Sequence, residues 1–166
     1  MDNKNDWEYR EIVHPILCND EFNKIKEIEH HGVSRFDHSF RVSYYSYKVS
    51  KFLKLDYVES ARAGLLHDFF LSEEERTFKD RFVSTFTHPK KAVENASGLF
   101  TLNEKEKNII HAHMFPLYCA LPKYAESWVV SIVDKVVGSY EFVRKFGYKL
   151  SYLTNIYLIF LFNTIK

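Results

Sequence analysis

The chain has 166 residues, 46% of them apolar and 27% charged, with 23 basic against 22 acidic side chains and a net charge of +1. That length suits one domain with a sizeable core, and the balanced charge excludes the global field that draws a protein onto nucleic acid or an anionic membrane. The two cysteines, Cys18 and Cys119, have no paired ligand spacing; they exclude a disulfide framework and read as buried thiols of a reducing, cytoplasmic compartment.

Residues 1–10 are polar and mixed in charge, unlike a secretory signal. Five glycines and four prolines, with helix formers at three- and four-residue spacing almost throughout, predict an all-α domain. Trp7, Ile12, Ile16 and Leu17 mark a first helix that ends near Cys18. Asn19 or Asp20 caps a second, with Phe22, Ile25 and Ile28 on one face, and His30-His31-Gly32 stops it. Adjacent residues at a helix end diverge, so the histidine doublet reads as solvated. A third helix runs from Ser34 to about Leu55, with Val42, Tyr45, Val49, Phe52 and Leu53 as its expected buried face and His38 one turn before Val42. Asp56 caps a fourth, Tyr57 to about Asp68, whose Leu65 and Leu66, with Phe69 and Phe70, should lie in the core.

Ser72-Glu73-Glu74-Glu75-Arg76 reads as a solvated loop or short helix, because neighbouring glutamates cannot converge on one ion. Thr87-His88-Pro89 looks like a helix start, with proline in a first turn where its missing N–H is harmless. Asn103 caps a further helix, Glu104 to roughly His113, followed by a loop through Pro116 and Pro122. A long helix from about Glu126 to Arg144 then carries Asp134 between valines. The apolar stretch Tyr152 to Ile165 is expected to form a separate last helix, packed on the body or closing a homodimer. It is too short to span a bilayer and is interrupted by Asn155 and Asn163.

In chain order the candidate ligands are His38, His67-Asp68, His88, His111 or His113, and Asp134. Each falls on or at the end of a different helix, as in sites built from inward-pointing side chains of a bundle. A buried, ionised Asp68 beside His67 costs several kcal/mol unless neutralised, and a divalent cation does this while taking the imidazole lone pair. Imidazole with carboxylate and no thiolate excludes a zinc finger and suits iron, manganese, cobalt, nickel or zinc.

The order His…His-Asp…Asp, in the contexts Asp-His-Ser-Phe-Arg-Val, Ala-Gly-Leu-Leu-His-Asp and Ile-Val-Asp-Lys, resembles the HD-domain metal-dependent phosphohydrolase superfamily. The likeness runs from about 35 to 144, within a single domain spanning 1–166. It implies that His38, His67, Asp68 and Asp134 hold a first metal. Thr-His-Pro around His88 and His-Met-Phe-Pro-Leu around His113 resemble the two-metal branches, including the one that cleaves diadenosine tetraphosphate-type dinucleotides. This implies a second ion, bridged by Asp68 and completed by His88 and His113, with His113 preferred to His111 for its His-Met context. His111-Ala112-His113-Met114 replaces the His-His-Glu run of the cyclic-dinucleotide phosphodiesterases, and their Gly-Tyr-Pro signature is missing, which disfavours that activity.

The activity implied is hydrolysis of a phosphate ester or anhydride of a nucleotide or similar small molecule by metal-activated hydroxide, with Asp68 as catalytic carboxylate. Arg41, Arg62, Lys91 and Lys135, each near a ligand in sequence, are candidate phosphate clamps. Phe69, Phe70, Phe115 and Tyr118 are candidates for stacking on a base, with core packing as the simpler role. One variant of this reading has a single metal, with His88 and His113 serving the substrate. From another class, the domain would be a non-catalytic nucleotide- or metal-binding regulator, which binds without turnover.

Overall fold

The computed structural model describes residues 3–30, 33–71 and 78–164. Helix α1 (Asn3–Leu17) turns Tyr9, Val13 and Ile16 into the core at helical spacing, while Trp7 stands outside. Asn19 caps α2 (Asp20–Asn23) by accepting the amide of Phe22 at 3.0 Å. The expected second helix lasts only this one turn and tightens into a 3-10 turn (Lys24–Glu27) that still buries Phe22 and Ile25. Beyond it, β1 (Glu29–His30) and β2 (Val33–Ser34) pair antiparallel in a minimal ribbon. His31 and Gly32 lie outside the described residues.

Helix α3 (Arg35–Phe52) starts where Ser34 accepts the amide of Asp37. Its inward face corrects the sequence reading. Val42 is buried, but Tyr45, Val49, Phe52 and Leu53 are exposed, and the buried positions are instead His38, Ser39, Ser43, Ser46, Tyr47 and Ser50. The cause is close packing on α4 (Tyr57–Leu66). A Cβ on Gly64 would stand 3.1 Å from the Ser43 Cα, so a larger residue there would press on the α3 backbone. Two of these serine hydroxyls bond across the crossing: Ser43 donates to the Ala61 carbonyl at 2.6 Å and Ser50 to Ser60 at 2.8 Å. Tyr9 closes the cluster by donating to Ser43.

Asp56 caps α4 through the amide of Glu59, and Leu65, Leu66, Phe69 and Phe70 are all buried around its end. The charged run 72–76 lies outside the described residues. Helix α5 spans Phe78–Leu99, so His88 and Pro89 sit in its interior and not at a cap. The helix continues on both sides of the proline and tolerates one carbonyl without its usual donor. Helix α6 (Glu104–Ala112) opens with a reciprocal cap in which Asn103 and Glu106 each bind the other's backbone amide. A loop follows, with a cis peptide between Phe115 and Pro116.

The two expected C-terminal helices are one, α7 (Ala125–Thr164). No proline stands between Arg144 and Tyr152, and Gly147 alone costs only about 1 kcal/mol, too little to end a helix. The side chains from Leu153 onward lie outside the described residues, and with them the expected packing of the last stretch. The cysteines also differ from expectation: both are exposed, Cys18 at the end of α1 against His14, and Cys119 in the loop after α6. Loop and helix-end positions leave a thiol nothing to pack beneath. The core lies between α3, α4, α5, α6 and α7, through Val42, Leu65, Ala92, Ile109, Ile110 and Val130. Among the described residues, no helix is long and apolar enough to cross a membrane.

Candidate metal centre

Two helix ends build the middle of the site in the same way. α4 stops at Leu66 with His67 as its C-cap, and α6 stops at Ala112 with His113 as its C-cap. Each imidazole folds back so that Nδ1–H donates to the carbonyl three residues earlier, His67 to Gly64 at 2.8 Å and His113 to Ile110 at 2.7 Å. Carbonyls in a last turn have no helical partner, and here an imidazole supplies one. Both Nε2 atoms are thereby aimed inward. Ser131 and Lys135 on α7 bind the His113 carbonyl at 2.7 and 2.9 Å and fix the α6 end in place.

Asp68 follows His67 as the chain leaves the helix through a tight turn, with Phe70 N on the Asp68 carbonyl. Its carboxylate stands 3.6 Å from His67 Nε2, 3.6 Å from His88 Nε2 and 3.5 Å from His113 Nε2. His88 lies flat against Phe70 at 5.2 Å between centroids and brings its Nε2 to 3.0 Å from that of His113. From α3, His38 reaches Asp134 of α7 at 3.0 Å through Nε2 and Glu141 at 2.9 Å through Nδ1. Three overlapping groups, each with donor atoms within 4.8 Å of one another, result: His38, His67 and Asp68; His67, His113 and Asp134; Asp68, His88 and His113. Asp68 belongs to two of them.

This donor set suits divalent cations, and His67 supplies the test. Its Nε2 is buried without a hydrogen-bond partner, 3.6 Å from both Asp68 and Asp134. Neutral, it points a lone pair at two carboxylates; protonated, its N–H reaches neither within hydrogen-bond distance. A cation between these atoms resolves both conflicts.

The electrostatics point the same way. Burial opposes protonation of His38, yet hydrogen bonds to Asp134 and Glu141 outweigh it and hold its pKa up to about 10. Burial likewise opposes protonation of His67, but the charges of Asp68 and Asp134 raise its pKa. Asp134 and Glu141 shift below the usual carboxylate range: burial would raise both, and His38, with His67 or Arg41, overcomes it. Burial and the nearby His67 push His113 down to about 3, so it stays neutral.

These shifts fix a pH dependence for the metal-free protein. The stabilisation from His38 and His67 is fully present below their unfolded pKa near 6.5 and is lost as pH rises toward about 10 for His38. That from neutral His113 is present above about 6.5 and is lost as pH falls toward about 3. Melting temperature of chelated protein against pH is therefore expected to peak near 6.5. Metal must displace the His38 proton, so apparent metal affinity should rise from pH 6 to 8.

The remaining candidates separate. His111 is outside these groups and bonds Tyr118 at 3.1 Å. Arg41 binds Glu141, Arg62 binds Glu106 at 2.6 Å and the Thr101 carbonyl, and Lys91 is exposed on α5. Lys135 is committed to His113 and Ser131, and burial lowers its pKa. Phe69 and Phe70 are buried, and Phe115 packs edge-on against Trp128.

Glu141 was missed. Its side chain is fully buried and joins His38 to Arg41. Seven residues after Asp134, it shares that helix face. That pair of carboxylates, about two helical turns apart on one face, was the available signal.

A family model described as HD domain matches residues 35–138, from the first residue of α3 to the turn of α7 beyond Asp134. No curated protein and no solved structure matches the chain.

Proposed function

Because the chain belongs to the HD domain family, whose members are mostly metal-dependent hydrolases, we propose that it hydrolyses a phosphate ester or anhydride of a nucleotide or similar small molecule. The observation that carries this reading is the carboxylate of Asp68, shared by two triads of buried nitrogen and oxygen donors. In this reading His38, His67, Asp68 and Asp134 hold one divalent ion, and Asp68, His88 and His113 a second. Such ions lower the pKa of a water and offset charge on the phosphoryl oxygens.

The chain's own residues do the rest. The helix-end hydrogen bonds of His67 and His113 set which nitrogen is offered, and Glu141 does so for His38. Asp68 takes the proton that the attacking water loses. Arg41, a third exposed and anchored to Glu141, is the cation we assign to the substrate phosphate. Arg62 is engaged with Glu106 and is the weaker candidate.

Metal analysis of protein purified without chelator, followed by turnover on a panel of nucleotides and other phosphate esters, tests the proposal. About two ions per chain and hydrolysis that a chelator abolishes are expected. One ion per chain, with His88 and His113 still needed for turnover, would favour the single-metal variant. Metal or nucleotide binding with no hydrolysis under any divalent metal would overturn the enzymatic reading in favour of a regulatory domain.

A further inference from the structure

Helix α7 is apolar on two opposite faces. One carries Val130, Val133, Asp134, Val137 and Glu141 into the body. On the other, Trp128, Ile132, Val136, Phe142, Val143 and Phe146 are 46% to 66% exposed, with Tyr140 at the margin. At about 100° per residue they occupy less than half the helix circumference. Among the described residues the one charge within that arc is Lys135, which is bound back to His113 and Ser131.

The helix also outruns its support. His38, near the start of α3, lies against Asp134 and Glu141, while the amide of Asp56, just past its end, donates to Glu126 at the start of α7, so the two helices run in opposite directions. α3 begins at Arg35, one turn before His38, whereas α7 continues from Glu141 to Thr164, roughly 34 Å further at 1.5 Å per residue. Tyr148 and Tyr152 continue the line of Val137 and Glu141, yet are 69% and 66% exposed.

We propose that the outward face of α7 binds the same face of a second copy in an antiparallel two-fold pair. Area is the first argument. With about 200 Å² for a whole aromatic side chain and somewhat less for valine or isoleucine, the exposed stripe offers on the order of 700–800 Å². That matches the roughly 800 Å² each partner gives to a stable interface. Self-complementarity is the second argument, for the stripe carries one charge, the Lys135 ammonium held back on His113 and Ser131, and meets its own copy with little like-charge cost. Its bulky members lie toward the ends, Trp128 and Phe146, with Val136 and Ser139 in the middle. A two-fold axis between Val136 and Ser139 sets each bulky end against the other and crosses the backbones at the small residues. The antiparallel sense also opposes the helix dipoles. This contact is independent of the proposed chemistry, since it uses the side of α7 turned away from Asp134.

Sedimentation of the full chain tests the pairing. Wild type is expected to be a dimer at tens of µM, and Val136→Glu, which places two carboxylates by the axis, to weaken association at least about a hundredfold. Val136 is 63% exposed, so this variant should keep its helical circular dichroism and its metal-induced rise in melting temperature. Should it fail to fold, Ser139→Cys with Cys18 and Cys119 changed to serine gives a second measurement: oxidation should link two chains across the axis. A wild-type monomer up to about 100 µM overturns the proposal. So does a dimer unaffected by Val136→Glu, or a monomer that instead binds lipid vesicles through this face.

Discussion

Asp68→Ala is expected to lose metal and turnover together, with kcat/KM falling at least about a thousandfold, which corresponds to about 4 kcal/mol of barrier. The reason is positional: this one carboxylate completes two of the three donor groups, so its removal opens both at once. Without metal the variant should still fold, because Asp134 still faces His67 and the apolar core around Leu65 and Leu66 is untouched. Circular dichroism should therefore stay helical while the metal-induced rise in melting temperature disappears. His67→Ala is expected to behave likewise. Full metal content in both variants would contradict the ligand assignment.

The second large effect belongs to Glu141. Its carboxylate accepts the Nδ1–H of His38 and the guanidinium of Arg41, and thereby fixes the ring whose Nε2 faces Asp134. Glu141→Ala leaves a buried imidazole nitrogen and an arginine without this acceptor, and metal affinity is expected to fall about 10- to 100-fold. In Glu141→Gln the amide oxygen can still accept from Nδ1–H, so part of the affinity should return. Calorimetric metal titration of the three proteins separates this positioning role from a structural one. Equal affinity in wild type and Glu141→Ala would refute it.

Much of this arrangement was legible in the chain because capping and ligation are local chemistry. Asn19, Ser34, Asp56 and Asn103 cap the helices they precede through their own side-chain oxygens. His67-Asp68 and Asp134 stood out as polar groups within apolar runs. The inward face of α3 was not legible, since a serine stripe looks solvated until Gly64 brings a second helix close enough to bury it and to accept from Ser43. Nor was the interior position of His88, because Pro89 suits a first turn better than the middle of a helix. Glu141 was hidden by distance: its partner His38 is 103 positions away.

The paired helix ends have an effect beyond ring orientation. α4 and α6 both run their C-termini toward the same cavity, so the partial negative charge of each peptide array adds to that of Asp68 and Asp134. In the bare protein the protonated imidazoles of His38 and His67 answer that charge. The direction of two backbones thus favours a positive occupant between these helix ends, whether a proton or a cation.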